Sequence, residues 1–286
     1  MNMLDKFYTR SRVALELKRR TVELFGTTLP ERKLEPSAGA GAFLENEDGL
    51  VAFDLLPHHF RAAEMDSVGP DISYIFDWVM EDWPKKELLV IGNPPFGVKG
   101  KLAAEFINTY LKIGGLVAFI LPIVFRKWAG QRQINPAARL VADWDIPFGA
   151  FHTPDGKPYD LDCCFQIWSV REIDQRFDNL RLTKPVTAHS DFTVRMATGA
   201  DHPAWNTPFD FAVFCQGGGR YDEKFLPGYR PPNVRRHMLF KAHSPDALSR
   251  LMRIDFVELA KGWAPVRGFG TAEVIAAYFQ DHAARA

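Results

Sequence analysis

The chain reads as an α/β protein: a mostly parallel, doubly wound sheet with a late antiparallel strand, followed by a small α+β extension. Three observations predict this. Leu88-Leu89-Val90-Ile91-Gly92 and Gly115-Leu116-Val117-Ala118-Phe119-Ile120-Leu121-Pro122 are apolar without alternation, the pattern of strands covered on both faces. Leu102 to Leu111, between them, has the composition of a helix, which completes a strand, helix, strand unit. Upstream, Leu34-Glu35-Pro36-Ser37-Ala38-Gly39-Ala40-Gly41-Ala42-Phe43-Leu44 runs from a short strand into a small-residue turn and on into a helix.

Taken in order, Phe7-Tyr8-Thr9 precedes a first helix and has the form of a hydrophobic staple and N-cap. Lys18-Arg19-Arg20 falls on the solvent face of that helix. Strands are expected near residues 31–36, 49–54, 72–76, 87–92 and 115–121. Cys163-Cys164-Phe165-Gln166-Ile167-Trp168 supplies the late antiparallel strand, near 163–170. Gly39 and Gly41 allow a ligand close to the backbone, and a helix start behind them would favour the ligand's negative end. Gly49-Leu50-Val51-Ala52-Phe53-Asp54 ends in an acid, at the spacing of about 20 residues where dinucleotide-binding folds place a ribose-binding carboxylate. A nicotinamide cofactor therefore competes at this point. The missing third glycine and the loop that follows Gly92 weigh against it.

That loop, Asn93-Pro94-Pro95-Phe96, suits one chemistry. An exocyclic amine on a conjugated ring has its lone pair spread into the ring and attacks poorly. The Asn93 side-chain oxygen and the Pro94 carbonyl can each accept one of its N–H groups, drawing nitrogen toward sp³. The prolines fix φ and set this geometry in advance, and Phe96 offers a face for a flipped-out base. An ordinary strand exit, with prolines ending the sheet and the aromatic plugging the core, uses the same four residues.

Together these segments resemble the S-adenosylmethionine-dependent amino-group methyltransferases, particularly the DNA adenine-N6 type. The resemblance covers roughly the first 170 residues. It implies a Rossmann-like class I methyltransferase fold, S-adenosylmethionine as cofactor, and methyl transfer to adenine N6 in DNA; RNA adenine and protein glutamine are the alternative acceptors, and a non-catalytic methyltransferase-like binding module is the least favoured reading. Catalysis then falls to Asn93, Pro94, Pro95 and Phe96. The cofactor loop spans Glu35, Ser37, Ala38, Gly39 and Gly41, with Asp54 on the ribose. Asp77, preferred to Asp71, receives the cofactor's adenine. Tyr8 and Thr9 belong to a lid over its methionine part, in the subgroup that places this lid first. Phe151 and Phe165 either wall the target base or fill the core.

Composition fits a soluble enzyme, with 47% apolar residues, seven tryptophans and three cysteines in no framework or zinc spacing, so no metal is expected. No apolar run approaches a membrane span and no signal peptide opens the chain, so the expected location is cytoplasmic. The net charge of zero is awkward for a nucleic-acid enzyme. Two basic, aromatic-containing clusters relieve it: Arg126, Lys127 and Arg132, then Arg230, Arg235 and Arg236. The expected division is a catalytic domain over 1–172 and an extension over 173–286 for target recognition or docking. In the extension, Phe209 to Cys215 reads as a strand, and helices are expected at 245–251 and, capped by Thr271, at 271–279.

Overall fold

The computed structural model describes residues 7–69, 72–74, 77, 88–217, 220–230, 235–261 and 268–283. The chain divides into two compact units, Met1–Thr183 and Lys184–Ala286. Residues 173–183 thus belong to the first unit. Their anchor is Arg181, whose guanidinium donates to the carbonyls of Gln131 (3.0 Å), Ile134 (2.7 Å), Asn135 (2.6 Å) and Ala138 (3.0 Å).

The first unit is built on seven strands: β1 (Arg32–Glu35), β2 (Leu50–Asp54), β3 (Ala62–Glu64), β4 (Leu88–Gly92), β5 (Gly115–Pro122), β6 (Arg139–Asp145) and β7 (Cys163–Ser169). Their order in the sheet is β3-β2-β1-β4-β5-β7-β6. The first five are parallel, with Leu34 beside both Val51 and Val90, while β7 runs antiparallel to β5 and β6. The expected doubly wound sheet is present. Alternate residues of the apolar strands enter two cores: Val90, Val117 and Phe119 pack with Phe106, Ile107 and Tyr110 of the helix Lys101–Ile113, while Leu89, Ile91 and Ala118 pack with Leu17 and Phe25 of the helix Ser11–Phe25. Both faces are therefore dry. Each fully buried aliphatic or aromatic side chain contributes roughly 1.5–3 kcal/mol, which explains why these strands carry no polar alternation.

Several elements differ from expectation. The third strand is Ala62–Glu64, not 72–76; residues 72–74 and 77 are helical. Strand β6, unannounced in the sequence, forms the far edge. Residues 39–46 form turns rather than a helix, since Asn46 has a positive φ of 56° and nearby carbonyls are claimed by side chains. Lys18 donates to Phe43 O (3.0 Å) and Glu45 O, and Arg61 to Leu44 O (3.0 Å) and Glu47 O. Lys18 accordingly leaves the solvent face assigned to it.

The second unit holds four antiparallel strands, β8 (Phe192–Thr198), β9 (Phe211–Gln216), β10 (Lys224–Phe225) and β11 (Arg236–Ala242), in the order β8-β11-β9-β10. Helices Pro245–Arg253, Phe256–Lys261 and Thr271–Ala283 contribute Leu251, Phe256 and Tyr278 to its larger core. Thr271 is the first helical residue, not the cap; the Glu273 carboxylate instead accepts the Gly270 N–H (3.0 Å). Among the described residues no helix is long and apolar enough to cross a membrane.

Candidate active site

In an open α/β sheet, ligands bind outside the carboxyl ends of the strands where the order reverses. Here that point lies between β1, whose chain continues to β2 on one side, and its other neighbour β4. The segments leaving these strands are Pro36 to Gly39 and Asn93 to Phe96, and both open on a cavity of about 500 Å³. Of the expected site residues, Tyr8, Thr9, Glu35, Ser37, Ala38, Gly39, Asp54 and all four of Asn93, Pro94, Pro95 and Phe96 line it.

The β1 side is a carboxylate cradle. Asp54 Oδ2 accepts the Gly39 N–H (2.7 Å) and Oδ1 the Leu56 N–H (2.8 Å), so β2 holds the turn after β1 in place. Gly39 adopts φ +52°, and a Cβ there would meet the Tyr8 ring at 3.0 Å; only glycine lets the two segments close together. Glu35 is 2% exposed and its Oε2 has no hydrogen-bond partner. Burial holds its carboxyl well above the usual carboxylate range, Asp54's charge adds to this, and Lys18 opposes it. Gly92 makes room for it: a Cβ on Gly92 would lie 3.2 Å from Glu35 Cγ.

Asp66 and Ser67, unforeseen in the sequence, complete this side. Asp66 Oδ1 accepts the Gly69 N–H (2.9 Å), and Ser67 Oγ donates to the Pro36 carbonyl. Tyr110 Oη in turn donates to the Ser67 carbonyl (2.8 Å). The available signal was positional. Glu35 and Asp54 end β1 and β2, and Asp66 lies just past the end of β3. Asp77 is exposed and outside the lining, and Gly41 closes the turn (φ +84°) without facing the cavity. Asp71 lies outside the described residues.

The β4 side is neutral. Asn93 Nδ2 donates to Thr9 Oγ1 (3.2 Å), while Asn93 Oδ1 is buried and unpartnered. The prolines explain the vacancy. An Asn side-chain oxygen ordinarily captures the N–H two residues on, but Pro95 has none and Pro94 offers none either. Phe96, Leu102, Phe106, Phe151 and Leu161 form the apolar wall beside it. Phe165 does not join them: it is fully buried and stacks on Trp144 (5.6 Å).

Tyr8–Thr9 is a short strand, not a staple and cap. It pairs antiparallel with Phe151–His152, which pairs with Pro158–Tyr159, and Phe7 stacks on Tyr159 (4.1 Å). Arg10 occupies the helix N-cap position. Burial and Asp54's charge hold the Tyr8 phenol above its usual range.

Glu35, Ser37 and Asn93 each present a buried, unpartnered polar atom, and all three residues line this one cavity. Three acidic side chains line it, and no Lys or Arg does among the described residues. Such a lining suits a cationic ligand and repels a pyrophosphate, which disfavours a nicotinamide dinucleotide. The cysteines take no part; all are buried thiols, and burial pushes Cys215 up to about 11. No cluster of metal-ligating side chains occurs among the described residues.

The basic residues fare unevenly. Arg126 is committed to Asp143 (2.7 Å) and Asp145 (2.6 Å), its charge neutralised within the unit. Arg132 is exposed, 5.1 Å over Trp128, and Lys127 is half-buried. In the second unit Arg230 donates to Trp205 O (3.1 Å) and Asn206 Oδ1 (3.0 Å), and Arg236 to Gln216 Oε1 (3.2 Å). Arg235 and Arg236 are exposed.

No family model and no curated protein matches the chain. Among solved structures it is similar to PH1948 of Pyrococcus horikoshii, a proposed RNA methyltransferase. The identity is 14% and the TM-score 0.37, covering 58% of this chain and 86% of that one. A Thermoplasma acidophilum protein, 1320, is similar at 14% identity and a TM-score of 0.35, covering 59% and 94%. These values describe a remote likeness, and the functional reading rests on the site itself.

Proposed function

We propose that the chain is an S-adenosylmethionine-dependent methyltransferase of planar amino groups, with adenine N6 in DNA as its acceptor. The observation that carries this is Asn93 Oδ1, a buried acceptor kept unpartnered by two prolines at the edge of a carboxylate-lined cavity. Asp54 accepts the cofactor's ribose hydroxyls and Asp66 the amino group of its adenine, the role expected of Asp77. The Gly39 turn and Tyr8 enclose its methionine end, and the unpartnered Glu35 Oε2 accepts from its amino group. When bound, the cofactor supplies an electrophilic methyl group on a sulfonium.

The chain's own residues do the rest. The acceptor base stacks on Phe96, and its two N–H groups donate to Asn93 Oδ1 and the Pro94 carbonyl. These acceptors are already oriented and need no reorganisation as charge develops on nitrogen. Asn suits this better than Asp, since a neutral acceptor polarises the N–H without taking its proton. The released proton passes to water. For DNA as the carrier speak the exposed Lys99 and Lys101 directly after the loop, the exposed Arg132, and the aminoproximal Tyr8–Thr9 strand on the cavity. A protein glutamine amide is the second reading, favoured by the zero net charge and by the neutralisation of Arg126.

Incubation with methyl-labelled S-adenosylmethionine and DNA, RNA or cell extract tests the proposal. Label recovered as N6-methyladenine from DNA is the expected result. Label on glutamine or in RNA alone would replace the acceptor, and failure to bind the cofactor would overturn the reading altogether.

A further inference from the structure

The Asn93 amide has two ends of similar shape and opposite polarity, and the chemistry needs the oxygen end toward the acceptor. Within the loop nothing selects between them, because both following residues lack N–H groups. The selection comes from a segment remote in sequence. We infer that Thr9 is a positioning residue for Asn93: its hydroxyl accepts from Nδ2 and thereby turns Oδ1 into the cavity. This rests on the proposed function for its catalytic meaning, but the contact itself does not.

Several contacts fix Thr9 in place. Thr9 is 6% exposed, and its backbone is pinned by pairing to Phe151, by the Arg10 N–H on the Ala150 carbonyl (2.9 Å) and by the Phe7 stack on Tyr159. A β-branched side chain on a strand has few χ1 choices, so the hydroxyl is placed by the sheet. Asn93 Nδ2 lies 3.2 Å from it. The Tyr8–Thr9 strand thus does two things at once. Tyr8 covers the Gly39 turn on the β1 side, and Thr9 orients the amide on the β4 side.

The test uses the full chain with Thr9→Val, which keeps the shape and removes the hydroxyl, and Thr9→Ser, which keeps the hydroxyl. Side-chain amide NMR, with the Asn93 signal assigned by its loss in Asn93→Ala, reads the contact without any turnover. The expected result is a protected Asn93 amide in the wild type and in Thr9→Ser, and an exposed or shifted one in Thr9→Val. An unprotected amide in the wild type would overturn the inference. Single-turnover methyl transfer to unmethylated genomic DNA at saturating cofactor then reads the consequence. Thr9→Val should lose at least tenfold in rate with cofactor affinity within twofold of wild type, and Thr9→Ser should stay within threefold in both. Thr9→Val at wild-type rate, or a cofactor affinity falling in parallel with rate, would contradict a positioning role. So would a Thr9→Ser variant as slow as Thr9→Val. If the wild type methylates no acceptor, the proposed function fails while the NMR arm still decides the contact.

Discussion

The two sides of the cavity solve opposite electrostatic problems. At the ends of β1 and β2, and just past β3, stand Glu35, Asp54 and Asp66, acidic groups that suit a cationic ligand; at the end of β4 stand an amide, two prolines and an aromatic ring, with no ionisable group at all. A ligand held for its charge is best met by carboxylates. An amine that must become a nucleophile is best met by neutral acceptors fixed in place. Folding leaves buried, unpartnered polar atoms on both sides, which opposes stability until ligands arrive.

The most severe break in this comparison is Asn93→Ala. It should lower the methyl-transfer rate by about 10²–10³, the range for loss of one preorganised donor or acceptor at a developing charge. Asn93→Asp should not restore it, because a carboxylate erases the difference between the sides. Next is Asp54→Ala, which removes the acceptor for the Gly39 and Leu56 N–H groups and, with it, the acceptor proposed for the cofactor's ribose. Cofactor affinity measured by calorimetry should fall about tenfold to a hundredfold, the consequence of about 1.5–3 kcal/mol for hydrogen bonds to a charged group.

Glu35→Gln sharpens the comparison by moving stability and binding in opposite directions. Because Glu35's folded pKa lies well above the ordinary carboxylate range, its contribution is fully present at low pH and is lost as pH rises from that range through the folded value. The glutamine variant should therefore melt higher than wild type near neutral pH and lose part of this slope, while binding the cationic cofactor more weakly. Equal melting profiles across pH would show that burial does not raise the Glu35 pKa. The smallest effects separate the basic residues. Arg126→Ala should lower the melting temperature, leaving Asp143 and Asp145 without their cationic partner, with little change in DNA affinity. Arg132→Ala should leave folding intact and reduce the salt dependence of DNA binding by about one phosphate contact.

Much of this was legible from the chain. The runs 88–92 and 115–122 announced buried strands because both their faces enter a core, and Asn93 to Phe96 stood out because it follows one of them directly; all four of its residues line the cavity. The third strand was hidden. Ala62–Glu64 is short and largely exposed, with no apolar run, whereas Ile72-Ser73-Tyr74-Ile75-Phe76 has strand composition. Misplacing that strand drew attention to Asp77, which is exposed and outside the cavity lining, in place of Asp66, which lines it. Arg126 was misread for another reason: its partners, Asp143 and Asp145, sit on β6 and reach it only through the tertiary fold. Nor could spacing reveal Thr9 against Asn93, since 84 residues separate them.

The division of labour across the cavity is the central claim, and one paired measurement tests it. Cofactor affinity by calorimetry and single-turnover methyl transfer should be recorded on the same preparations of wild type and Asn93→Ala. Equal affinity with transfer lost from the variant is the expected result. Transfer retained by Asn93→Ala, or lost only in proportion to cofactor affinity, would contradict it.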